Sequence, residues 1–250
     1  MTSRDASSPE DGDGPASARA ARLRVGALVP VKRFDRSKSR LGDALGPGAR
    51  EALAREMFDR VVGEVLGGLV RRGELDCVWV VTDGDDVRAR ALDLGAYAVV
   101  TEGVRPGRSL GAIVDEGLLL VRAWRASPTR EAVPPVDRFE RDEGVWETPD
   151  AALVIMGDLP SLEADDVRAL VTLLETHDIV LAPDAAGTGT NALAMRLPPP
   201  MRTRFCGGES LADHLRDANA LGLRVALCER PGLGFDVDQP VDYERLRRVF

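Results

Sequence analysis

Short runs of consecutive apolar residues alternate along this chain with longer segments in which apolar residues recur every three or four positions. The short runs predict buried strands at 24–29, 76–82, 97–100, 151–156, 179–182, 192–197 and 224–228. The longer segments predict helices at 53–69, 85–94, 110–121, 164–175 and 211–221, and after Pro240. Because strands and helices alternate, we predict an α/β fold of three layers, with a mainly parallel sheet and helices on both of its faces.

Two segments depart from this pattern. Residues 1–22 are rich in small, polar and charged side chains and contain no apolar stretch of the kind that a secretory signal needs, so a disordered tail is predicted. Residues 126–150 contain four prolines and many charges without periodicity, which predicts a mobile surface insertion. The rest of 23–250 is predicted to form a single domain.

Charge and cysteine content narrow the function classes. The chain has 41 acidic and 33 basic side chains, a net charge of −8, which disfavours general nucleic-acid binding. No apolar run approaches the roughly 18 residues of a membrane span. The three cysteines are widely spaced and odd in number, which indicates reduced side chains in a cytoplasmic protein.

The loop at 30–41, between the first predicted strand and the first predicted helix, holds the only two lysines of the chain, Lys32 and Lys38. Every other basic side chain is an arginine, so a compact ammonium group is indicated here, the usual point charge for a phosphate. Arg40 adds a third cation. Ligands of open α/β sheets bind at the carboxyl ends of strands, which makes this loop a candidate nucleotide site. The alternative is a basic loop that is only solvated.

Three aspartates are candidate ligands of a divalent cation. Asp158 follows the most apolar predicted strand, where a lone carboxylate suits Mg²⁺, an ion bound by one or two carboxylates plus substrate phosphates. Asp236 and Asp238 alternate, so in an extended segment both face the same side. The alternatives are a turn aspartate at Asp158 and a helix start at Asp238, which lies just ahead of Pro240.

A second group of residues forms a candidate site for a small acid. Thr190 follows a glycine-rich loop, and Gly207 precedes a predicted helix that begins near Ser210. Exposed N–H groups at the start of a helix favour a bound anion. The spacing of Ser210 and Asp213 also resembles a capping box, which needs no ligand. His214, one turn later, is more typical of a packed or capping histidine.

Ordered motifs extend over most of the chain, from about residue 25 to residue 246. They are Pro30-Val31-Lys32, Ser37-Lys38-Ser39-Arg40-Leu41, Gly157-Asp158-Leu159-Pro160, Gly189-Thr190-Asn191-Ala192-Leu193, Gly207 with Ser210 and His214, and Asp236-Val237-Asp238. Together they resemble one family, the guanylyltransferases of coenzyme F-420 biosynthesis, which join GTP to phosphoenolpyruvate or 2-phospholactate.

The resemblance implies a GT-A-type nucleotidyltransferase fold, Mg²⁺ as cofactor, and a guanosine diphospho-acid and pyrophosphate as products. It also implies that Asp158 binds the metal and that Thr190, Gly207 and Ser210 bind the phospho-acid. Lys32, Lys38 and Arg40 are then expected to neutralise phosphate charge. The expected partners are GTP, the acid and the downstream transferase that uses the product, with a homodimer left open.

Two features depart from the family pattern: a proline-rich spacer before Phe205 and the long segment at 126–150. The glycine-rich fingerprint of the broader sugar nucleotidyltransferases is also missing from the sequence. The motifs therefore do not identify the residues that recognise the base of the nucleotide. Two other functions therefore remain open. One is a nucleotidyltransferase of different specificity, such as a molybdopterin guanylyltransferase or a cytidylyltransferase, and the other is a non-catalytic nucleotide-binding protein.

Overall fold

The computed structural model describes residues 22–100, 108–123, 149–205 and 207–249. Seven strands of these ranges form one sheet with the order β3-β2-β1-β4-β6-β5-β7. They are β1 (Val25–Pro30), β2 (Cys77–Thr82), β3 (Tyr97–Val100), β4 (Ala151–Ile155), β5 (Ile179–Pro183), β6 (Thr190–Arg196) and β7 (Val225–Leu227). Strand β6 runs antiparallel to β4 and β5, whereas the other neighbouring pairs are parallel. The predicted, mainly parallel sheet is confirmed.

Helices pack on both faces of this sheet. They are α1 (Pro47–Phe58), α2 (Gly67–Arg71), α3 (Asp85–Asp93), α4 (Leu110–Ala123), α5 (Ala164–Leu174), α6 (Ser210–Ala220), α7 (Pro231–Gly234) and α8 (Pro240–Val249). A π-helical stretch, Asp59–Leu66, joins α1 to α2 without a break. The loop after β1 contains two short 3-10 turns, Phe34–Arg36 and Ser39–Leu41.

Strand β1 shows how the sheet separates two apolar cores. Successive side chains of a strand point to opposite faces. Ala27 and Val29 belong to the core that includes Phe58 from the end of α1, whereas Leu28 belongs to the core that includes Ile113 of α4. Burial on both faces explains why the strands read as continuous apolar runs.

Every predicted strand and helix is present, and most ends differ by one or two residues. The largest difference is the start of the first helix. The helix is predicted from residue 53, but Gly46 is the N-cap and Pro47 is the first helical residue of α1. Proline suits that position because its missing N–H would be unpaired there anyway. The four-residue helix α7 was not predicted.

Two predictions concern segments that lie largely outside the described residues. Residues 1–21 of the predicted tail at 1–22 and most of the predicted insertion at 126–150 fall there, as does Cys206. Asp150, the last residue of that insertion, is described. Its carboxylate accepts the Arg24 backbone N–H at 3.0 Å and pairs with the Arg24 guanidinium at 3.1 Å. The end of the predicted insertion is therefore fixed beside the start of β1.

The antiparallel direction of β6 determines which residues meet at one edge of the sheet. Strands β1, β2 and β4 end at this edge, and β6 begins there. The Met156 backbone N–H, just after β4, donates to the Asn191 carbonyl at 2.9 Å. Residues from the start of β6 consequently lie beside Asp158, although the two segments are far apart along the chain.

We predict that Gly26→Ala destabilises the fold. A Cβ at Gly26, the second residue of β1, would lie 2.2 Å from a ring carbon of Trp79 on β2. The buried ring must shift, so the free energy of unfolding in urea is expected to fall by about 1–3 kcal/mol.

Gly48→Ala is the matched control, because Gly48 lies in α1 and a Cβ there meets nothing within 4 Å. That substitution is expected to raise the stability by up to about 1 kcal/mol. Equal effects of the two substitutions would contradict the close packing of Trp79 on β1.

Candidate active site

A cavity of about 430 Å³ lies at the edge of the sheet where β1, β2 and β4 end. Its walls come from the loop after β1, the ends of β2 and β4, the start of α4 and the segment before α8. The charged side chains that line it are Lys32, Arg36, Lys38, Arg40, Asp83, Asp158 and Asp238. The cavity therefore gathers all three predicted cations and two of the three predicted carboxylates.

Lys38 is the central contact of this site. Its Nζ donates to Asp158 Oδ2 at 2.5 Å and to Asp238 Oδ1 at 3.0 Å, and its side chain is only 6% exposed. Burial alone would lower the pKa of Lys38, but the charges and hydrogen bonds of the two carboxylates outweigh it, so the pKa is raised. The ammonium therefore stays charged between the loop after β1, the end of β4 and the segment before α8.

The backbone at Lys38 is strained. Its φ of 57° and ψ of 34° are left-handed, and within the described ranges no other non-glycine residue has a positive φ. Such a conformation costs about 1–3 kcal/mol and persists only where surrounding contacts enforce it. The two ion pairs of Lys38 supply that enforcement, so the loop holds this side chain inward.

The other two predicted cations are more accessible. The Arg40 guanidinium contacts Asp238 Oδ2 at 3.4 Å and remains 68% exposed. Lys32 is exposed at the cavity wall. The site thus combines one fixed ammonium with two cations that an incoming anion can reach.

Asp236 joins the cluster through an amide. Asn191 Nδ2 donates to Asp236 Oδ1 at 3.2 Å and to the Leu233 carbonyl at 3.0 Å. Burial and the nearby charge of Asp158 raise the pKa of Asp236, against the opposing effect of the Asn191 hydrogen bond. A cation bound nearby would therefore favour the ionised form of the Asp236 carboxyl group.

The three predicted metal ligands only partly form a metal site. Among the residues that the structure describes, no group of three or more His, Cys, Asp or Glu side chains is arranged to hold a metal ion. The Lys38 ammonium lies between Asp158 and Asp238 instead. The donors themselves fit Mg²⁺, because hard carboxylate oxygens with room for substrate phosphates are what this ion takes.

A second polar cluster lies on the other face of β6. Thr190 and Asn191 are successive residues of the strand and therefore point to opposite faces. Thr190 Oγ1 accepts a hydrogen bond from Ser210 Oγ at 3.3 Å and lies 3.2 Å from His214 Nδ1. All three side chains are buried. The structure thus brings together two of the three residues predicted to bind the phospho-acid.

The capping-box interpretation of Ser210 is wrong. Glu209 is the N-cap of α6 and Ser210 is its first helical residue, and the Ser210 hydroxyl donates to Thr190 rather than to the helix. The Leu211 N–H is also occupied, by the Thr188 carbonyl at 3.0 Å. Gly207, the third predicted acid-binding residue, has a φ of +78°, which side chains rarely adopt.

Sequence reasoning missed the two-sided role of β6. The sequence places Asn191 next to Thr190 in one motif, but the hydrogen bond of Asn191 to Asp236 depends on a chain reversal that no local pattern reveals. Asp83 and Thr82, at the end of β2, also line the cavity and were not singled out. Only their position could have indicated them, because Thr82 and Asp83 lie at the end of a predicted strand, where ligands of such sheets bind.

Solved structures with the same fold define the class. A nucleotide-diphospho-sugar transferase structure from Desulfovibrio desulfuricans superposes with a TM-score of 0.65 at 17% identity, covering 91% of this chain and 88% of that one. Glucosyl-3-phosphoglycerate synthase from Mycobacterium tuberculosis, solved with Mn²⁺ and UDP, gives 0.54 at 16% identity, with 89% and 75% covered. The fold is therefore that of the GT-A-type nucleotide-diphospho-sugar transferases.

Sequence relatives narrow the class to a family. A model described as "Guanylyl transferase CofC like" matches residues 143–247. Two phosphoenolpyruvate guanylyltransferases are similar: one from Sphaerobacter thermophilus at 34% identity, covering 88% of this chain and 91% of the relative, and one from Rubrobacter xylanophilus at 36%, covering 90% and 94%. A 3-phospho-D-glycerate guanylyltransferase from Phenylobacterium zucineum is 34% identical, with 89% of each covered. The chain belongs to the CofC-like guanylyltransferase family, as its motifs predicted.

None of the helices in the described ranges is long and apolar enough to cross a membrane.

We predict that His214 makes stability depend on pH. Burial lowers the pKa of His214 to about 4, against the opposing effects of a hydrogen bond with the Ser210 backbone and the charges of Asp213 and Asp217. An unfolded histidine takes up its proton near pH 6.5. The unfolded state therefore binds more protons between these values, and stability falls as the pH drops from about 6.5 to about 4.

His214→Asn cannot titrate and provides the reference. Its difference in unfolding free energy from the wild type should shrink on acidification, by on the order of 3 kcal/mol over the full range. A difference that stays constant between neutral and acidic pH would show that His214 is not buried in its neutral form.

Proposed function

We propose that this protein joins GTP to phosphoenolpyruvate, releasing pyrophosphate and forming a guanosine diphospho-acid, in the biosynthesis of coenzyme F-420. The observation that carries the proposal is the cavity in which Lys32, Lys38 and Arg40 face Asp158 and Asp238. Family membership supports guanylyl transfer, and two of the relatives are named for phosphoenolpyruvate. The alternative acid from the motif resemblance is 2-phospho-L-lactate.

The reaction needs positioning more than acid-base chemistry. An ionised phosphate oxygen of the acid forms a bond to the α-phosphorus of GTP, and the bond to the bridging oxygen between the α- and β-phosphorus breaks, so that pyrophosphate leaves. The attacking oxygen carries no proton at neutral pH, and no general base is required. Catalysis then consists of holding two anions against each other and stabilising the charge that develops.

The chain's own cations perform much of this work. Lys32 and Arg40 are accessible from the cavity and would contact the triphosphate first. Lys38 is buried, charged and aimed at the carboxylates, so a phosphate that enters beside it gains an ammonium donor already in place. The short, rigid setting favours lysine over arginine, because a planar guanidinium does not fit a site made for a point charge.

A divalent cation, Mg²⁺ by its preference for carboxylate oxygens, is part of the proposal. Asp158 together with Asp236 or Asp238 would hold it. Bound there with the triphosphate, it would neutralise negative charge on the phosphates. The glucosyl-3-phosphoglycerate synthase structure, which shares the fold, contains Mn²⁺ with a nucleotide, which supports a divalent cation in the proposed reaction.

The phospho-acid is assigned to Thr190, Gly207 and Ser210. Thr190 and Ser210 carry buried hydroxyl groups at the start of β6 and α6, and a Cβ at Gly207, three residues before Ser210, would meet nothing within 4 Å. One relative is named for 3-phospho-D-glycerate, and at 34% identity it is as similar as a relative named for phosphoenolpyruvate. That acid is therefore a further candidate substrate beside 2-phospho-L-lactate.

The proposal predicts which acid sustains turnover. Purified protein with GTP and Mg²⁺ should release pyrophosphate with phosphoenolpyruvate, and less with 2-phospho-L-lactate or 3-phospho-D-glycerate, when the downstream transferase is present to remove a labile product. CTP should not replace GTP. Pyrophosphate release with none of the acids, despite measurable GTP binding, would contradict the proposed function.

Asp158→Asn tests the site within the same assay. Loss of the carboxylate should lower kcat by at least about 100-fold, the size of effect seen when one electrostatic contact to a transition state is removed. Asp165→Asn, which changes an exposed carboxylate on α5 that does not line the cavity, is the matched control and should keep wild-type turnover. Wild-type turnover in Asp158→Asn would remove Asp158 from the mechanism.

A further inference from the structure

His214 is completely buried in the cluster behind Thr190. The imidazole packs edge to face against the Phe205 ring, with 5.0 Å between the ring centroids. It also has polar contacts on both ring nitrogens, which an imidazole used only for packing does not need. These contacts determine where its proton lies.

The proton of His214 is on Nδ1. The backbone N–H of Arg204 donates to Nε2 at 2.8 Å, which requires a lone pair there. Burial keeps the ring neutral, so its one proton must be on the other nitrogen. Nδ1 lies 3.2 Å from Thr190 Oγ1, and His214 therefore donates to the Thr190 hydroxyl.

Thr190 has no acceptor position left. A hydroxyl accepts two hydrogen bonds and donates one. Thr190 Oγ1 accepts from His214 Nδ1 and from Ser210 Oγ, the second at 3.3 Å. With Ser210 Oγ as the donor of that hydroxyl pair and His214 Nδ1 as the other donor, the Thr190 proton is left to be donated elsewhere. Thr190 is the first residue of β6, at the ligand edge of the sheet.

We propose that His214 is a positioning residue, which fixes the Thr190 hydroxyl as a pure donor toward an ionised oxygen of the phospho-acid. This inference rests on the proposed function, in which Thr190 contacts the acid. It extends that function by explaining how the binding site for the acid selects a negatively charged oxygen. An oxygen that only accepts, as in a phosphate or carboxylate, satisfies Thr190, whereas a group that must donate meets a filled hydroxyl.

The tautomer can be measured directly, because the chain has only two histidines. In ¹⁵N-histidine-labelled protein, His177→Gln leaves the signals of His214 alone. The proposal predicts a protonated Nδ1 and an unprotonated Nε2 at neutral pH. A proton on Nε2 would overturn it, and this result does not depend on activity or on the stability of a His214 variant.

Kinetic measurements distinguish a positioning role of His214 from a purely structural one. His214→Phe keeps a ring against Phe205 but removes both nitrogens, so the KM for phosphoenolpyruvate should rise by about 10-fold or more, as for a lost hydrogen bond to a charged group. The KM for GTP should change less than about 2-fold. His214→Asn, which restores an N–H near the position of Nδ1, should recover much of the loss, and His177→Gln should behave as wild type.

Two outcomes distinguish this inference from the proposed function. Thr190→Val removes the hydroxyl with little change of shape and should raise the KM for the acid at least as much as His214→Phe. If Thr190→Val has no effect on that KM, the assignment of Thr190 to the acid fails. Suppose instead that Thr190→Val raises the KM for the acid. If His214→Phe then leaves that KM unchanged, or raises the KM for the acid and the KM for GTP equally, only the positioning role of His214 fails.

Discussion

The contact of the Lys38 ammonium with Asp158 and Asp238 is the constraint on which the site depends. It joins three segments that are distant along the chain: the loop after β1, the end of β4 and the stretch before α8. The Lys38 side chain is only 6% exposed, whereas Asp158 and Asp238 are 31% and 44% exposed, so loss of the carboxylates would leave the ammonium as an uncompensated buried charge. The left-handed backbone at Lys38 shows that the loop accepts strain to deliver that cation.

Strand β6 connects this charged cluster to the second half of the site. Because it is antiparallel, its first two residues lie at the ligand edge, and because strand residues alternate, Asn191 faces the aspartates while Thr190 faces His214. One short segment thus orients groups proposed for the cation on one side and groups proposed for the acid on the other. This arrangement suits a reaction whose main requirement is that two anions are held in register.

The fold was accessible from the sequence because burial on both faces makes each strand an uninterrupted apolar run. Lys38 and Asp158 were also accessible, one through the rarity of lysine and the other through its place after the most apolar strand. Other features depend on contacts between distant segments. Ser210 fits a capping box by spacing, yet its hydroxyl is used by Thr190 across the sheet edge. No local sequence pattern predicts the antiparallel direction of β6 or the left-handed backbone of Lys38.

The most direct test of this account follows the Lys38 ammonium itself. Only two lysines are present, so ¹⁵N-lysine-labelled protein gives two side-chain ammonium signals, and Lys32→Arg identifies that of Lys38. The account predicts that Mg²⁺ with a non-hydrolysable GTP analogue shifts the Lys38 signal, as its partners change from carboxylates alone to carboxylates and phosphate. A Lys38 signal that stays unchanged while the nucleotide saturates the protein would contradict the account.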